Sequence, residues 1–196
     1  MVRKAPMNIE EIKLYNMVDM SLRFSGMIRL YKKGTKQKLI NKILKLLPEI
    51  SNVKSSEEFD TIHSAFCRWA NKNILSSKKI LNEENISYGQ AAKTLDVTLS
   101  VLLYYCNWPN QTKSKKLIKW IHAAIDTDMM KYLKKYYKND LKEWPTTVKD
   151  VDRVTYRKLQ DLVKRFISEE DPEIELPVQF DDKYWYLLKE GLLTEK

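Results

Sequence analysis

Apolar residues recur along most of the chain at spacings of three and four, and strand-like alternation is weak throughout. This periodicity is typical of amphipathic helices. Helices are predicted over residues 8–31, 36–47, 55–74, 76–84, 91–106, 114–126, 126–140, 148–168 and 181–190. Helical periodicity dominates, glycine is scarce and no internal repeat is present. The sequence therefore predicts an all-α fold of eight or nine helices.

The segment "AKTLDVTLSVLLYYCN", residues 92–107, has the pattern of a buried helix. Its apolar positions form one stripe: Ala92, Leu95, Leu99, Leu102, Leu103 and Cys106. Lys93 lies in the predicted first turn, on the edge beside this stripe. Partial burial and a helix N-terminus both disfavour the charged form of an amine, which is the condition for a nucleophilic lysine at neutral pH. The simpler alternative is a structural lysine with a buried stem and a solvated head.

Asp126 stands between an apolar run and the helical pattern "DTDMMKYL". This position predicts a helix N-cap, whose carboxylate accepts hydrogen bonds from the backbone of Asp128 or Met129. The same amides would also hold a carboxylate that faces a cleft. The two roles are compatible, and the spacing alone does not separate them.

Length and charge restrict the class of protein. A chain of 196 residues suits one domain, 1–196, with approximate lobes 1–84 and 85–196. The net charge of +9 favours a polyanionic partner, nucleic acid before membrane. No apolar stretch is long enough to cross a bilayer, and the N-terminus lacks the apolar core of a signal peptide, so we expect a cytoplasmic monomer.

Metal and cofactor chemistry is not indicated by the sequence. Cys67 and Cys106 lie in apolar helical patterns, which suits reduced thiols, and they form no metal-spaced cluster with His63 or His122. No glycine-rich phosphate loop and no Ser-His-Asp order is present, which disfavours nucleotide hydrolysis and acyl transfer. We therefore expect neither a metal site nor a cofactor.

A turn with glycine, a helix that opens "KT" and an "ID-T" at a later helix start follow one another between residues 85 and 138. This order resembles the helix-hairpin-helix DNA glycosylases, and "KTLDVTLSVLLYY" is most similar to their archaeal 8-oxoguanine glycosylase branch. The resemblance implies a two-lobed helical fold that acts on double-stranded DNA carrying a damaged or modified base. It places Lys93 at the family's nucleophilic lysine and Asp126 at its catalytic aspartate.

The hairpin departs from the family pattern. The family has two glycines around an apolar residue just before the lysine, whereas "SYGQAAK" has only Gly89, four residues upstream. Hairpin amides normally bind a DNA phosphate, so Gly89 and Gln90 are candidate DNA contacts with altered anchoring. The gap from Lys93 to Asp126 also contains an additional basic segment. This divergence motivates the hypothesis of a modified base in foreign DNA, such as phage DNA, as the substrate.

Lysines and aromatic residues surround the two candidate catalytic positions. Eight lysines lie between residues 113 and 138, and the candidate phosphate contacts among them are Lys113, Lys115, Lys116 and Lys131. Two solvated helix faces would give the same pattern. Trp69, Trp108 and His122 are candidates for a base pocket, ahead of Trp185. The tyrosines of "KYLKKYYK" are expected to be mostly core.

The resemblance implies a reaction in which the base is flipped from the duplex and its glycosidic bond is cleaved. Asp126 would stabilise positive charge on the sugar, and Lys93 would attack C1′ to give a Schiff base that permits β-elimination, or would only assist a water. Two other interpretations remain open at this point. One is a nucleic-acid-binding protein on the same fold without catalysis, and the other is an all-α interaction protein whose charge is incidental.

Overall fold

A computed structural model describes residues 8–77 and 84–193. Within these ranges the chain forms eight α-helices: α1 (Ile9–Phe24), α2 (Thr35–Ile50), α3 (Ser56–Asn73), α4 (Tyr88–Leu99), α5 (Gln111–Leu117), α6 (Thr127–Tyr136), α7 (Arg153–Glu169) and α8 (Pro177–Lys189). Short 3₁₀ turns occur at Met27–Leu30 and Val148–Asp150, and a π-helical segment, Ser100–Tyr105, continues α4. The predicted all-α class is confirmed for the described ranges. None of their helices is both long enough and apolar enough to cross a bilayer.

Two predicted helices are longer than the observed ones. The first ends at Phe24 rather than at residue 31, because Gly26 takes a left-handed φ of 70° and starts a 3₁₀ turn. The helix predicted over 114–126 ends at Leu117. The chain before Asp126 is not helical, since the Gln160 side chain bonds both the amide and the carbonyl of Ala123.

Other predicted bounds need smaller corrections. Helix α2 continues through Pro48 to Ile50 instead of ending at Leu47. The helix predicted over 76–84 lies mostly outside the described residues. One cluster of buried apolar residues draws members from all eight helices, and the division into lobes at 84/85 stays a prediction.

Helix α4 is the central element of the fold. It packs against α1, α3, α7 and the Val148–Asp150 turn, and eleven of its twelve residues are buried. The exception is Lys93. The Gly89 amide donates to the Val151 carbonyl at 2.9 Å, and a Cβ on Gly89 would lie 2.5 Å from the Val148 carbonyl oxygen. A glycine is therefore needed where the start of α4 meets this turn.

A buried polar network surrounds Asp96, the one acidic residue of α4. The carboxylate lies 2.9 Å from His63 Nε2, and its other oxygen accepts a hydrogen bond of 2.7 Å from the Tyr156 hydroxyl. The same hydroxyl lies 3.0 Å from His122 Nδ1, and His122 Nε2 lies 2.8 Å from Asp60 Oδ1. The network thus connects the core to the partly exposed Asp60.

Burial alone would lower the pKa of His63. The neighbouring Cys67 and the Asp96 carboxylate outweigh this effect, and the pKa of His63 lies well above its usual value. Asp96 is the partner that decides this direction, because its carboxylate bonds the ring directly. His63 therefore carries a proton in the folded protein at neutral pH.

We expect the free energy of unfolding to fall as the pH rises above ~6.5, the usual pKa of histidine, with a slope that approaches about 1.4 kcal/mol per pH unit near pH ~8. The unfolded chain releases the His63 proton in this range, whereas the folded chain keeps it, so the contribution is complete below ~6.5 and is lost towards the folded pKa of His63. Near pH ~6.5 the slope is small, because burial lowers the pKa of His122 and the unfolded chain binds a proton there that the folded chain does not. Urea unfolding of the wild type between pH 6.5 and 8 measures this slope.

The Asp96→Asn variant should lack the slope and should be less stable at pH 6 by about 3–5 kcal/mol, because a buried cation loses its partner. Asp128→Asn is the matched control, because it breaks an exposed ion pair with Lys131 and should change stability by less than ~1 kcal/mol. Equal pH slopes in wild type and Asp96→Asn would contradict a protonated His63.

Candidate active site

The structure brings Lys93 and Asp126 together, although they are 33 residues apart in the chain. Lys93 Nζ lies 3.4 Å from Asp126 Oδ2, and the two side chains are 15% and 20% exposed. Both groups are thus partly desolvated yet reachable from solvent. A lysine and a carboxylate in this arrangement can exchange a proton.

Asp126 is the N-cap of α6. Its Oδ1 accepts hydrogen bonds of 3.0 Å from the backbone amides of Asp128 and Met129, which leaves Oδ2 for Lys93. The predicted cap is confirmed. Oδ1 makes the cap, and Oδ2 of the same carboxylate faces Lys93. The amides therefore fix the carboxylate before any substrate binds.

Lys93 lies deeper in its helix than predicted. Helix α4 begins at Tyr88, where Ser87 and Gln90 form a capping box, so Lys93 is in the second turn and not in the first. The influence of the helix dipole decreases beyond the first turn. The position of Lys93 beside the core and its contact with Asp126 are therefore what distinguish it from a surface lysine.

A cavity of about 290 Å³ opens beside this pair, and we call it the Lys93 cleft. This volume is close to the lower end of the ~300–1,000 Å³ range of small-molecule pockets. Its walls include exposed aromatic rings, cations and carboxylates. These residues are Phe24, Tyr105 and Trp185, then Lys93 and Arg29, then Asp126, Asp181 and Asp182.

Two further cavities share walls with the Lys93 cleft. One, of about 500 Å³, has Gln90, Lys93 and Asp126 among its lining residues, and it continues along the Val148–Asp150 turn. Another, of about 590 Å³, has Asp126, Trp185, Lys131 and Lys135 among its lining residues. Asp126 is common to all three, so the reactive pair lies where several concave surfaces meet.

The π-helical segment determines one wall of the Lys93 cleft. Ser100 and Tyr105, its first and last residues, both line the cavity. Its wider turns change the direction of side chains relative to α4, and such segments are frequent at functional sites. The Tyr105 hydroxyl donates to Asp182 on α8. Burial, followed by this carboxylate, raises the pKa of Tyr105, so the hydroxyl stays protonated.

None of the three residues predicted for the base pocket lines the Lys93 cleft. Trp69 packs on Phe66 with Lys42 above its ring, Trp108 lines a separate cavity near the start of α1, and His122 belongs to the Asp96 network. Trp185, which was ranked behind them, does line the cleft. Trp185 was ranked too low because α8 is far from Lys93 in the sequence, and only tertiary packing brings it to the cleft.

The residues predicted to contact DNA differ from one another in burial and in hydrogen bonding. The Gly89 amide is bonded to the Val151 carbonyl and is not free for a phosphate in this conformation, whereas Gln90 accepts from the Ser87 amide through Oε1 and lines the cavity of about 500 Å³. Lys131 is exposed and pairs with Asp128 beside the 590 Å³ cavity. Lys113, Lys115 and Lys116 are exposed on α5, which packs against the π-helical segment.

Sequence reasoning missed Phe24, Arg29, Tyr105 and Asp181. The signal for Phe24 and Arg29 was the "FSG" break, because Gly26 turns the chain and leaves both residues beside the cleft. The signal for Asp181 was the pair "DD" on a short helix that also carries "WY". Nothing in the sequence connected these segments to Lys93.

Among the described residues, His63, Asp96 and His122 are close enough together to suggest a metal site. The Tyr156 hydroxyl lies between them, at 2.7–3.3 Å from each. The hydroxyl therefore occupies the centre of the group and satisfies it by hydrogen bonds. This arrangement fits a structural network better than a set of open ligands.

Comparisons with protein-family models, with curated proteins and with solved structures gave no match. The features that bear on function are therefore the geometry of the Lys93 cleft and the short motif between residues 85 and 138.

The two roles of Asp126 can be separated by substitution. Asp126→Asn keeps a good N-cap and should change stability by only a few tenths of a kcal/mol, whereas Asp126→Ala removes the cap and should cost about 1 kcal/mol. Chemical denaturation of both variants measures the difference. Equal stability of the two variants would contradict a stabilising cap.

Proposed function

We propose that the protein is a DNA glycosylase that excises a damaged or modified base, with Lys93 and Asp126 as its catalytic residues. The observation that carries the proposal is the 3.4 Å approach of the two side chains at the wall of a cleft. The order of the motif between residues 85 and 138 supports the same assignment.

The chemistry follows from the positions of the two groups. When the bond between C1′ and the base breaks, its electron pair leaves with the base and positive charge develops on the sugar. The fixed Asp126 carboxylate stabilises this charge and accepts a proton from the Lys93 ammonium. The free amine then adds to C1′, and transfer of an N–H proton to the ring oxygen opens the sugar to give a protonated Schiff base.

The Lys93 cleft suits a flipped nucleobase. Phe24, Tyr105 and Trp185 are 66%, 54% and 42% exposed, which is unusual for large aromatic side chains unless they contact a partner. Base–aromatic stacking contributes ~1–3 kcal/mol per base, enough to offset much of the few kcal/mol needed for flipping. Polar groups between the rings would orient the base.

Charges around the cleft suit a DNA backbone. Arg29 lies on the cleft wall, and Lys131 and Lys135 of α6 border the neighbouring cavity. The exposed lysines of α5 lie on a helix that packs against the π-helical segment. Contacts of this kind bind phosphates without regard to sequence and weaken steeply with salt. The specificity would therefore come from the cleft, and a modified base of foreign DNA remains among its proposed substrates.

We expect the protein to release base from at least one member of a panel of duplexes, detected as alkali-labile strand breaks. The panel carries 8-oxoguanine, an N-alkylated purine or 5-hydroxymethylcytosine, and includes phage DNA with modified bases. Borohydride should trap a covalent complex with the wild type. Lys93→Gln should abolish trapping, and Asp126→Asn should slow base release at least ~100-fold, as is typical when one preorganised electrostatic contact is lost.

Lys45→Gln is the matched control, because Lys45 is exposed on α2 and does not line the Lys93 cleft, and it should leave the activity unchanged. Full activity of both Lys93→Gln and Asp126→Asn would show that the assignment is wrong. Salt-dependent DNA binding without any base release would identify a binding protein. Absence of binding at low salt would leave an interaction protein.

A further inference from the structure

The Lys93 cleft contains another carboxyl group, Asp181, whose surroundings differ from those of its neighbours. Asp126 is held by two amides and by Lys93, and Asp182 accepts a hydrogen bond from Tyr105. Asp181 is half-buried on α8 and faces the same cavity. Within residues 8–77 and 84–193, its carboxyl group has no hydrogen-bond or ion-pair partner.

This situation favours the neutral form of Asp181. Desolvation raises its pKa well above the usual range, and the charge of Asp126 adds to the effect, whereas Lys93 opposes it only in part. Lys93 cannot compensate fully because its ammonium already faces Asp126. The ionisable groups around Asp181 are Asp126, Lys93 and Arg29 on the cleft wall, Asp96 within α4, and Asp182 on its own helix.

We infer that Asp181 is the general acid of the reaction and gives its proton to the departing base. The inference rests on the proposed glycosylase function and adds a residue to it. A cleft with one carboxylate fixed beside a lysine and a second, unpaired carboxyl group has the two protonation states that cleavage of a glycosidic bond requires. Asp126 would act on the sugar and Asp181 on the base.

The step is balanced in atoms and charge. As the bond from C1′ to the base nitrogen breaks, both electrons go to the base. The O–H bond of Asp181 breaks, and its proton forms a new bond to a ring nitrogen or carbonyl oxygen of the base. The base leaves as a neutral molecule and Asp181 remains as a carboxylate, which regains a proton from water after the base has left.

The test compares single-turnover base release by wild type, Asp181→Asn and the matched control Asp161→Asn, on whichever duplex of the panel the wild type cleaves. Asp161 is exposed on α7 and does not line the Lys93 cleft. We expect a decrease of ~100-fold or more for Asp181→Asn, as for the loss of a general acid, and less than a ~threefold change for Asp161→Asn. Urea unfolding and duplex binding should be similar in all three proteins.

The pH profile distinguishes an acid from a residue that only shapes the cleft. The wild-type rate should fall as the pH rises through the Asp181 pKa, because the proton donor is lost, whereas a lysine nucleophile alone gives a rate that rises with pH. Asp181→Asn should lack this falling limb. Its defect should also shrink for base analogues that leave readily without protonation.

The results separate the inference from the function on which it rests. A wild type that releases base, with no falling limb or with the same limb in Asp181→Asn, would overturn the role of Asp181 and leave the glycosylase assignment intact. A wild type that releases no base would overturn both. If Asp181→Asn does not fold, the absence of a falling limb in the wild type still overturns the role, and Asp181→Glu, which keeps a proton donor, should retain the limb.

Discussion

The structure depends on the neutralisation of two opposite charges on a helix that is otherwise buried. Helix α4 fills the centre of the molecule, and eleven of its twelve residues are inaccessible. Asp96 and Lys93 lie one turn apart on it, and a charge in such surroundings is costly unless it has a partner. His63 and Tyr156 neutralise Asp96 inside the core. Asp126 neutralises Lys93 at its edge, where solvent can reach the pair.

The Asp96 network and the Lys93–Asp126 pair differ in how completely their polar atoms are engaged. The Asp96 network is closed, because both ring nitrogens of His63 and His122 and both carboxylate oxygens of Asp96 meet another protein group, and it holds α3, α4 and α7 together. The Lys93 pair is open, with a contact of 3.4 Å that is longer than a strong ionic hydrogen bond. An ion pair of this kind can be rearranged by a ligand that enters the cleft, whereas the buried network is held on every side.

The sequence predicted those parts of the site that depend on local pattern. The apolar stripe placed Lys93 at the edge of a buried helix, and the position of Asp126 before a helical pattern predicted its cap. The pocket could not be predicted in the same way. Trp69 and Trp185 have similar local surroundings in the sequence, and only the packing of α8 beside α6 puts Trp185 in the cleft. Gly26 was also missed, because a left-handed residue ends α1 early without any change in hydrophobic pattern.

The π-helical segment, Ser100–Tyr105, shapes one wall of the Lys93 cleft without supplying Lys93 or Asp126. It accommodates more residues per turn than an α-helix, so a one-residue deletion there could restore α-helical winding and leave the chain beyond it close to its present direction. Side chains within the segment, such as Tyr105, would be redirected, whereas Lys93, Asp126 and α5 would stay nearly in place. The shape of the cleft wall can therefore change without a change in the lysine and the carboxylate beside it.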